Sequence, residues 1–211
     1  MRQGQIDKAN TFARTMHERR SVRSFLPNPI HVDVLKACVN AALSSPSGAN
    51  QQPWHYVIIQ DPSLKATIRA AAEEEEKAFY GGRAPAAWLD SLKPLGTNAE
   101  KPYLEIAPAL IAVFAANYGV DQSNKEEPLK TKHYYVQESV GISVGMLLTA
   151  LHLAGLASLT HTPSPMGFLS SLLNRPPNER AYMLIATGYP DPSYVPPAIT
   201  RRPFEESVTI R

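Results

Sequence analysis

The chain has 211 residues, 44% of them hydrophobic, and its 21 basic and 19 acidic side chains leave a net charge of +2. That length supports one sizeable core rather than two, and so balanced a charge excludes a general affinity for nucleic acid or anionic membrane. The single cysteine, Cys38, excludes an intramolecular disulfide and reads as an inert core residue of a reducing compartment.

The first five residues, Met1-Arg2-Gln3-Gly4-Gln5, lack the apolar core of a signal peptide, so a cytoplasmic location is expected. Residues 7–20 read as a helix ending in a basic cluster with Arg19, Arg20, Ser21 and Arg23. Guanidinium groups bind phosphate bidentately, so the cluster reads either as an anion site or as a solvated helix end. Phe25 to Ile30 is a Pro-containing connector, and Val32 to Leu43 a second helix. Residues 46–54, PSGANQQPW, follow it and are longer than a helix-to-strand turn requires. They read either as a surface loop or as a cradle in which short side chains let a flat ligand approach the main chain.

Tyr56 to Ile59 is strand-like. Asp61 and Pro62 then form the N-cap and first position of a helix that runs to about Phe79 through Glu73-Glu74-Glu75-Glu76. Such a run reads as a solvated face, with Glu73 and Lys77 as an i,i+4 pair; Glu76 and Tyr80 share that spacing. Gly81 to Pro102, rich in Gly and Pro but carrying Trp88, has the character of a lid. Ala109 to Ala115 is a buried strand and Asp121 to Lys132 a charged loop. Tyr134 to Ala154 is a long helix. It includes part of an eighteen-residue run without formal charge, Val140 to Ala157, whose flanks lack the basic cluster of a membrane span. Gly141 and Gly145 on this helix permit close approach of another helix or a flat ligand, and Gly155 is its C-cap. Strands at Leu156 to Leu159 and Ala181 to Thr187 flank a short helix, Gly167 to Leu173. Helices and strands alternate without repeat, which implies an α+β (α/β sandwich) domain over residues 1–211. There is no GxGxxG, no P-loop and no zinc-ligand spacing.

The order of these segments resembles the flavin-dependent nitroreductase family. The Arg-Arg-Ser-x-Arg cluster at 19–23, the loop Pro46 to Trp54 and Gly188-Tyr189-Pro190 carry the likeness. Within it, the chain is similar to the iodotyrosine deiodinase branch, through Glu73 to Tyr80, Gly82-Arg83, Trp88-Leu89, Leu95-Gly96-Thr97, Lys101-Pro102, His133 to Gly141 and Thr160 to Pro163. The resemblance implies a central mixed sheet surrounded by helices and an intertwined homodimer with FMN sites built from both chains. Segment 78–104 would be the active-site lid and 191–211 an arm reaching the partner subunit. FMN contacts are implied for Arg19, Arg20, Ser21, Arg23, Pro46, Ser47, Asn50, Thr160, His161, Thr162 and Arg201. The Thr162 hydroxyl would bond flavin N5 and act in catalysis, while His161 stands where some relatives carry threonine. Ala49 would offer its N–H to a substrate phenolate. Glu76, Tyr80 and Lys101 would grip an α-amino-acid head group: a carboxylate for the ammonium, a phenol and an ammonium for the carboxylate.

The activity so implied is FMN-dependent reductive dehalogenation of halotyrosines, with electrons from NAD(P)H or from a reductase or a flavodoxin- or ferredoxin-type protein. The chain resembles a soluble microbial counterpart, without the membrane anchor of the animal deiodinases. Two other readings remain open at this stage: a broad NAD(P)H-dependent nitro- or quinone reductase, and a non-catalytic flavin-binding sensor.

Overall fold

The computed structural model describes residues 2–121 and 129–211. Its elements, in order, are α1 (Arg2–Glu18), α2 (Val32–Leu43), β1 (Trp54–Ile59), α3 (Pro62–Ala78), α4 (Ala86–Leu92), α5 (Tyr103–Ile106), β2 (Ala109–Ala116), β3 (Tyr118–Asp121), β4 (Leu129–Lys132), α6 (Val136–Leu153), β5 (Ala157–His161), α7 (Gly167–Leu172), β6 (Glu179–Gly188) and α8 (Phe204–Ser207). The main sheet has the order β1-β2-β6-β5, with each neighbouring pair antiparallel. A parallel bridge from Ser21 to Ser158 at the β5 edge gives the sheet its mixed character.

The central strand β2 is apolar throughout because both of its faces are covered. Leu110, Ala112 and Phe114 pack with Val22, Ile68, Leu104 and Leu169 on one side. Ile111 and Val113 pack with Leu35, Cys38, Leu147 and Leu151 of α2 and α6 on the other. Strand alternation generates this division, and each large side chain fully removed from water contributes roughly 1.5 to 3 kcal/mol. The expected capping of α3 holds: the Asp61 carboxylate accepts from the Leu64 N–H at 2.7 Å, with Pro62 in the first turn. Gly155 ends α6 in the left-handed region at φ +76°, where glycine carries no Cβ penalty.

The apolar helix α6 is long enough to cross a membrane by length and composition. Instead it packs on α2 and the sheet through Val140, Val144, Leu147 and Leu151. Its two glycines differ: a Cβ on Gly141 would meet the Tyr182 hydroxyl at 3.2 Å, whereas Gly145 faces open space. Three sequence expectations are corrected. Leu129–Lys132, read as loop, is a strand paired with Tyr118–Asp121, while residues 122–128 lie outside the described residues. Segment 81–102 contains the regular helix α4, whose Ala-rich start follows Pro85. The glutamate run is not a uniform solvated face: only Glu74 is exposed, and Glu73 pairs with Arg69 at 2.8 Å rather than with Lys77, which turns to Glu74 at 2.7 Å. The reason is the segment after α3, which folds back over the helix and brings the Lys101 N–H to within 2.7 Å of Glu73 Oε1.

Candidate active site

Helix α3 loses its regular path at Ala78 and passes through a widened turn over Phe79–Arg83, in which Gly82 takes φ +139°. Such turns recur at functional sites because they re-aim side chains. Here the turn carries Tyr80 over the same cavity that Glu76 enters from the last regular turn. Arg83 pins the fold-back, bonding the Glu75 carboxylate at 3.1 Å, the Glu75 carbonyl at 2.9 Å and the Ser164 carbonyl. The cavity holds about 370 Å³ and is lined by, among others, Glu76, Tyr80, Trp88, Lys101, Thr160 and Thr162.

Glu76, Tyr80 and Lys101, distant in sequence, meet there. Lys101 Nζ lies 3.3 Å from Glu76 Oε2 and 5.4 Å from the centre of the Tyr80 ring, within cation–π range. It also donates to Thr97 Oγ1 at 3.2 Å and to the Asn98 carbonyl. Glu76 is 9% exposed and Lys101 2%. Burial holds the Lys101 pKa below its usual value even though Glu76 opposes the shift. Water-excluded opposite charges suit a zwitterion, whose own two charges can take the place of each partner.

Strand β5 ends at His161 and delivers Thr160, His161 and Thr162 to the same cavity. Thr160 and Thr162 are exposed toward it, but the His161 ring is buried. Its Nδ1 lies 3.2 Å from the Tyr103 hydroxyl, and its Nε2 is 3.9 Å from Glu76 Oε1. Burial, with Lys101 nearby, lowers the His161 pKa to about 3, so the ring is neutral at ordinary pH. Burial, seconded by the Glu76 charge, raises the Tyr103 phenol above its ordinary value, so that hydroxyl keeps its proton. Tyr103 was not singled out by the sequence, and Thr97 only within the motif Leu95-Gly96-Thr97, with no role; their proximity in the chain to Lys101 was the available signal.

The arginine cluster does not converge on one point. Arg23 borders the cavity just described, whereas Arg19 and Arg20 border a second one of about 310 Å³, bounded also by His152, Ser158 and Tyr194. Arg201 returns from the C-terminal segment to bond the carbonyls of His17 at 3.3 Å and Arg19 at 3.2 Å. Burial and the neighbouring Arg201 charge both lower the pKa of Arg19. Two like charges brought near each other in this way give this end of the chain a positive local field.

The loop 46–54 packs elsewhere. Gly48 N–H donates to Ser139 Oγ at 3.2 Å, and a Cβ on Gly48 would meet the Tyr134 carbonyl at 3.0 Å. Ala49, Asn50 and Gln52 all have φ near +50°, a conformation costing roughly 1 to 3 kcal/mol each that persists where surroundings enforce it. The Ser47 hydroxyl accepts from the Gln52 N–H at 2.9 Å, while Pro46 is exposed. None of Pro46, Ser47, Ala49 or Asn50 lines the cavity containing Glu76 and Lys101. Among the described residues, no group of three or more His, Cys, Asp or Glu side chains could hold a metal ion.

The chain is similar to known proteins along nearly its whole length. An iodotyrosine deiodinase from Haliscomenobacter hydrossis is 47% identical over 197 residues, covering 93% of this chain and 87% of that protein. One from Nematostella vectensis is 42% identical, covering 97% and 76% respectively. A crystal structure of oxidized iodotyrosine deiodinase bound to FMN and 3-iodo-L-tyrosine superposes with a TM-score of 0.79 at 30% identity, covering 95% of this chain and 97% of that one. The profile of the nitroreductase family matches residues 16–189, the span that includes the cavity of Glu76 and Lys101 and the whole main sheet, and the chain belongs to that family.

Proposed function

We propose that this protein is an FMN-dependent oxidoreductase that reductively dehalogenates halotyrosines, releasing halide and tyrosine. The observation that carries the reading is the buried Glu76–Lys101 pair beside Tyr80 and Thr162 in one cavity, an arrangement suited to an α-amino-acid head group. The similarity to iodotyrosine deiodinases, one solved with FMN and 3-iodo-L-tyrosine, supports the same substrate class.

The residues present fit FMN. The like-charged Arg19 and Arg201, with Arg20 and Ser21, would hold its phosphate, and Arg23, Thr160 and Thr162 would border the flavin. Bound FMN supplies the two electrons that, with one proton, convert a carbon–halogen bond to carbon–hydrogen and halide. The chain's own groups do the rest. Glu76 takes the substrate ammonium, while Tyr80 and Lys101 take its carboxylate. Segment 78–104, anchored by Arg83, acts as the lid that keeps water out.

Because the loop 46–54 packs away from this cavity, its Pro46, Ser47, Ala49 and Asn50 are assigned to the site of a second subunit, Ala49 N–H meeting the phenolate. A homodimer is further supported by the bare face of α6 at Ile142 and Gly145, by α1, which buries none of its residues in this chain, and by the exposed Val195, Ile199 and Phe204 of the arm 191–211. Electrons come from NAD(P)H or a reduced flavodoxin- or ferredoxin-type protein, and a buried, unpaired Cys38 suits the cytoplasm.

The test is anaerobic. The purified protein is reduced with dithionite and offered 3-iodotyrosine, 3-nitrotyrosine or a simple nitroarene. Flavin reoxidation by 3-iodotyrosine with one iodide released per flavin is the expected result. Reoxidation by the nitroarene alone would make the protein a general reductase, and none by any substrate would make it a flavin-binding sensor.

A further inference from the structure

Among the described residues, one buried side-chain nitrogen or oxygen lacks a hydrogen bond: Nε2 of His161. The ring is 6% exposed and aims this atom at Glu76 Oε1, 3.9 Å away, too long for a hydrogen bond and too close to be indifferent. A buried polar atom left alone costs about 1 to 3 kcal/mol, so its persistence calls for a state in which it is satisfied.

The tautomer follows from the neighbours. The Tyr103 hydroxyl, 3.2 Å from Nδ1, has its proton to give, and a carboxylate faces the opposite nitrogen. With Nδ1 accepting from Tyr103, the ring proton lies on Nε2 and points at an acceptor. The reverse tautomer would set an imidazole lone pair against a carboxylate. Glu76 is therefore flanked by Lys101 at 3.3 Å on Oε2 and by a neutral donor on Oε1.

We propose that His161 is a positioning residue for the recognition of the substrate's α-ammonium group, its Nε2–H closing onto Glu76 Oε1 when Glu76 exchanges Lys101 for the ammonium. The inference rests on the assignment of Glu76 and Lys101 to the amino-acid head group. During that exchange the carboxylate gives up its first partner, and a fixed neutral donor steadies it without competing for its charge. An imidazolium at the same place would itself satisfy Glu76 and repel the incoming ammonium. His161 thus tunes specificity for amino acids over phenols that lack the ammonium.

The test compares two amides in the FMN-loaded protein. Asparagine at this position reaches the place of Nδ1 and keeps Tyr103 partnered, whereas glutamine reaches the place of Nε2 and keeps a donor toward Glu76. Dissociation constants come from flavin fluorescence quenching with 3-iodo-L-tyrosine and with 3-(4-hydroxy-3-iodophenyl)propanoate, which lacks the ammonium. His161→Asn is expected to weaken iodotyrosine binding about 10- to 100-fold, the loss typical of a hydrogen bond to a charged group, and His161→Gln to restore it to within about threefold. Binding of the propanoate should stay within about twofold of native in both variants, a split that a general loss of structure would not produce. Equal losses for both ligands, no loss in His161→Asn, or no recovery in His161→Gln would overturn the proposal. Glu76→Gln is measured in parallel. If it too leaves iodotyrosine binding intact, the head-group assignment itself has failed; if it weakens binding while His161→Asn does not, only the role of His161 has.

Discussion

Lys101 Nζ and Glu76 Oε2 lie 3.3 Å apart, joining segment 78–104 to the end of α3 with both side chains buried. Desolvating both groups offsets much of their attraction, so the pair contributes little net stability, but removing one partner strands the other. Lys101→Met should therefore lower the unfolding free energy by about 3 kcal/mol, and the double variant Glu76→Gln/Lys101→Met by clearly less. Urea titration of the single and double variants provides the measurement. A double variant as unstable as the sum of its singles would mean that the two charges do not interact.

His161 supplies a pH dependence whose sign can be worked out. Its folded pKa, about 3, lies below the ordinary value of 6.5, so between those values the unfolded chain binds more protons than the folded one. Stability from this group is complete above pH 6.5 and is lost as the pH falls toward 3. The loss by pH 5 is roughly 2 kcal/mol. In His161→Gln this component should vanish, so the difference in unfolding free energy between pH 7 and pH 5 should shrink by about that amount. An unchanged pH dependence would place the ring in a wetter environment than the structure gives it.

The fold was legible where pattern and packing agree. The apolar run Ala109 to Ala115 reads as a buried strand, and β2 is one covered on both sides; Asp61-Pro62 reads as a helix start, and α3 opens there. The glutamate run misled because local pairing rules see only i,i+3 and i,i+4 neighbours, whereas Glu73 and Glu76 answer to Lys101, which only the fold-back of segment 78–104 brings near. Resemblance named Glu76, Tyr80 and Lys101, but Tyr103 and the aim of His161 needed coordinates: their relation spans 58 residues and leaves no spacing to read. Nor could the sequence divide the arginine cluster, because nothing in Arg19 to Arg23 says which side chains turn to which cavity.

That division leads to a prediction. Arg19 and Arg201 repel each other, and a phosphate between them, as proposed, would relieve that repulsion, so Arg19→Ala should weaken FMN binding by about 1.5 to 3 kcal/mol while barely changing the stability of the flavin-free chain. Equilibrium dialysis against FMN and against riboflavin distinguishes the phosphate contribution. Equal weakening for both ligands would move Arg19 away from the phosphate.

Packing at the end of β6 permits a sharper structural test. A Cβ added to Gly188 would lie 2.4 Å from Pro108 Cδ and 3.3 Å from Phe25 Cδ1, with no flexible group able to yield. Overpacking of this kind costs about 1 to 3 kcal/mol, so Gly188→Ala should unfold at visibly lower temperature with its two-state behaviour retained. A melting temperature equal to that of the native protein would show that Pro108 can move aside.

The most discriminating substitution for the chemistry is Thr162→Ala. Thr162 is exposed to the cavity that Glu76 and Lys101 enter, so its hydroxyl is accessible to a bound flavin or substrate. Removing one hydroxyl leaves the arginines and the head-group residues in place, so affinity for FMN and for iodotyrosine should each change by less than about 1 kcal/mol. Dehalogenation, which must break a carbon–halogen bond at the ring, should fall at least about tenfold, the cost of one hydrogen bond that strengthens only during reaction. Nitroarene reduction makes no use of the head-group pocket and should fall much less. Single-turnover reoxidation of the reduced protein by 3-iodotyrosine and by a nitroarene, measured side by side, provides the ratio. If both rates fall by the same factor, Thr162 serves the flavin generally rather than dehalogenation, and if neither falls, the hydroxyl has no part in the reaction.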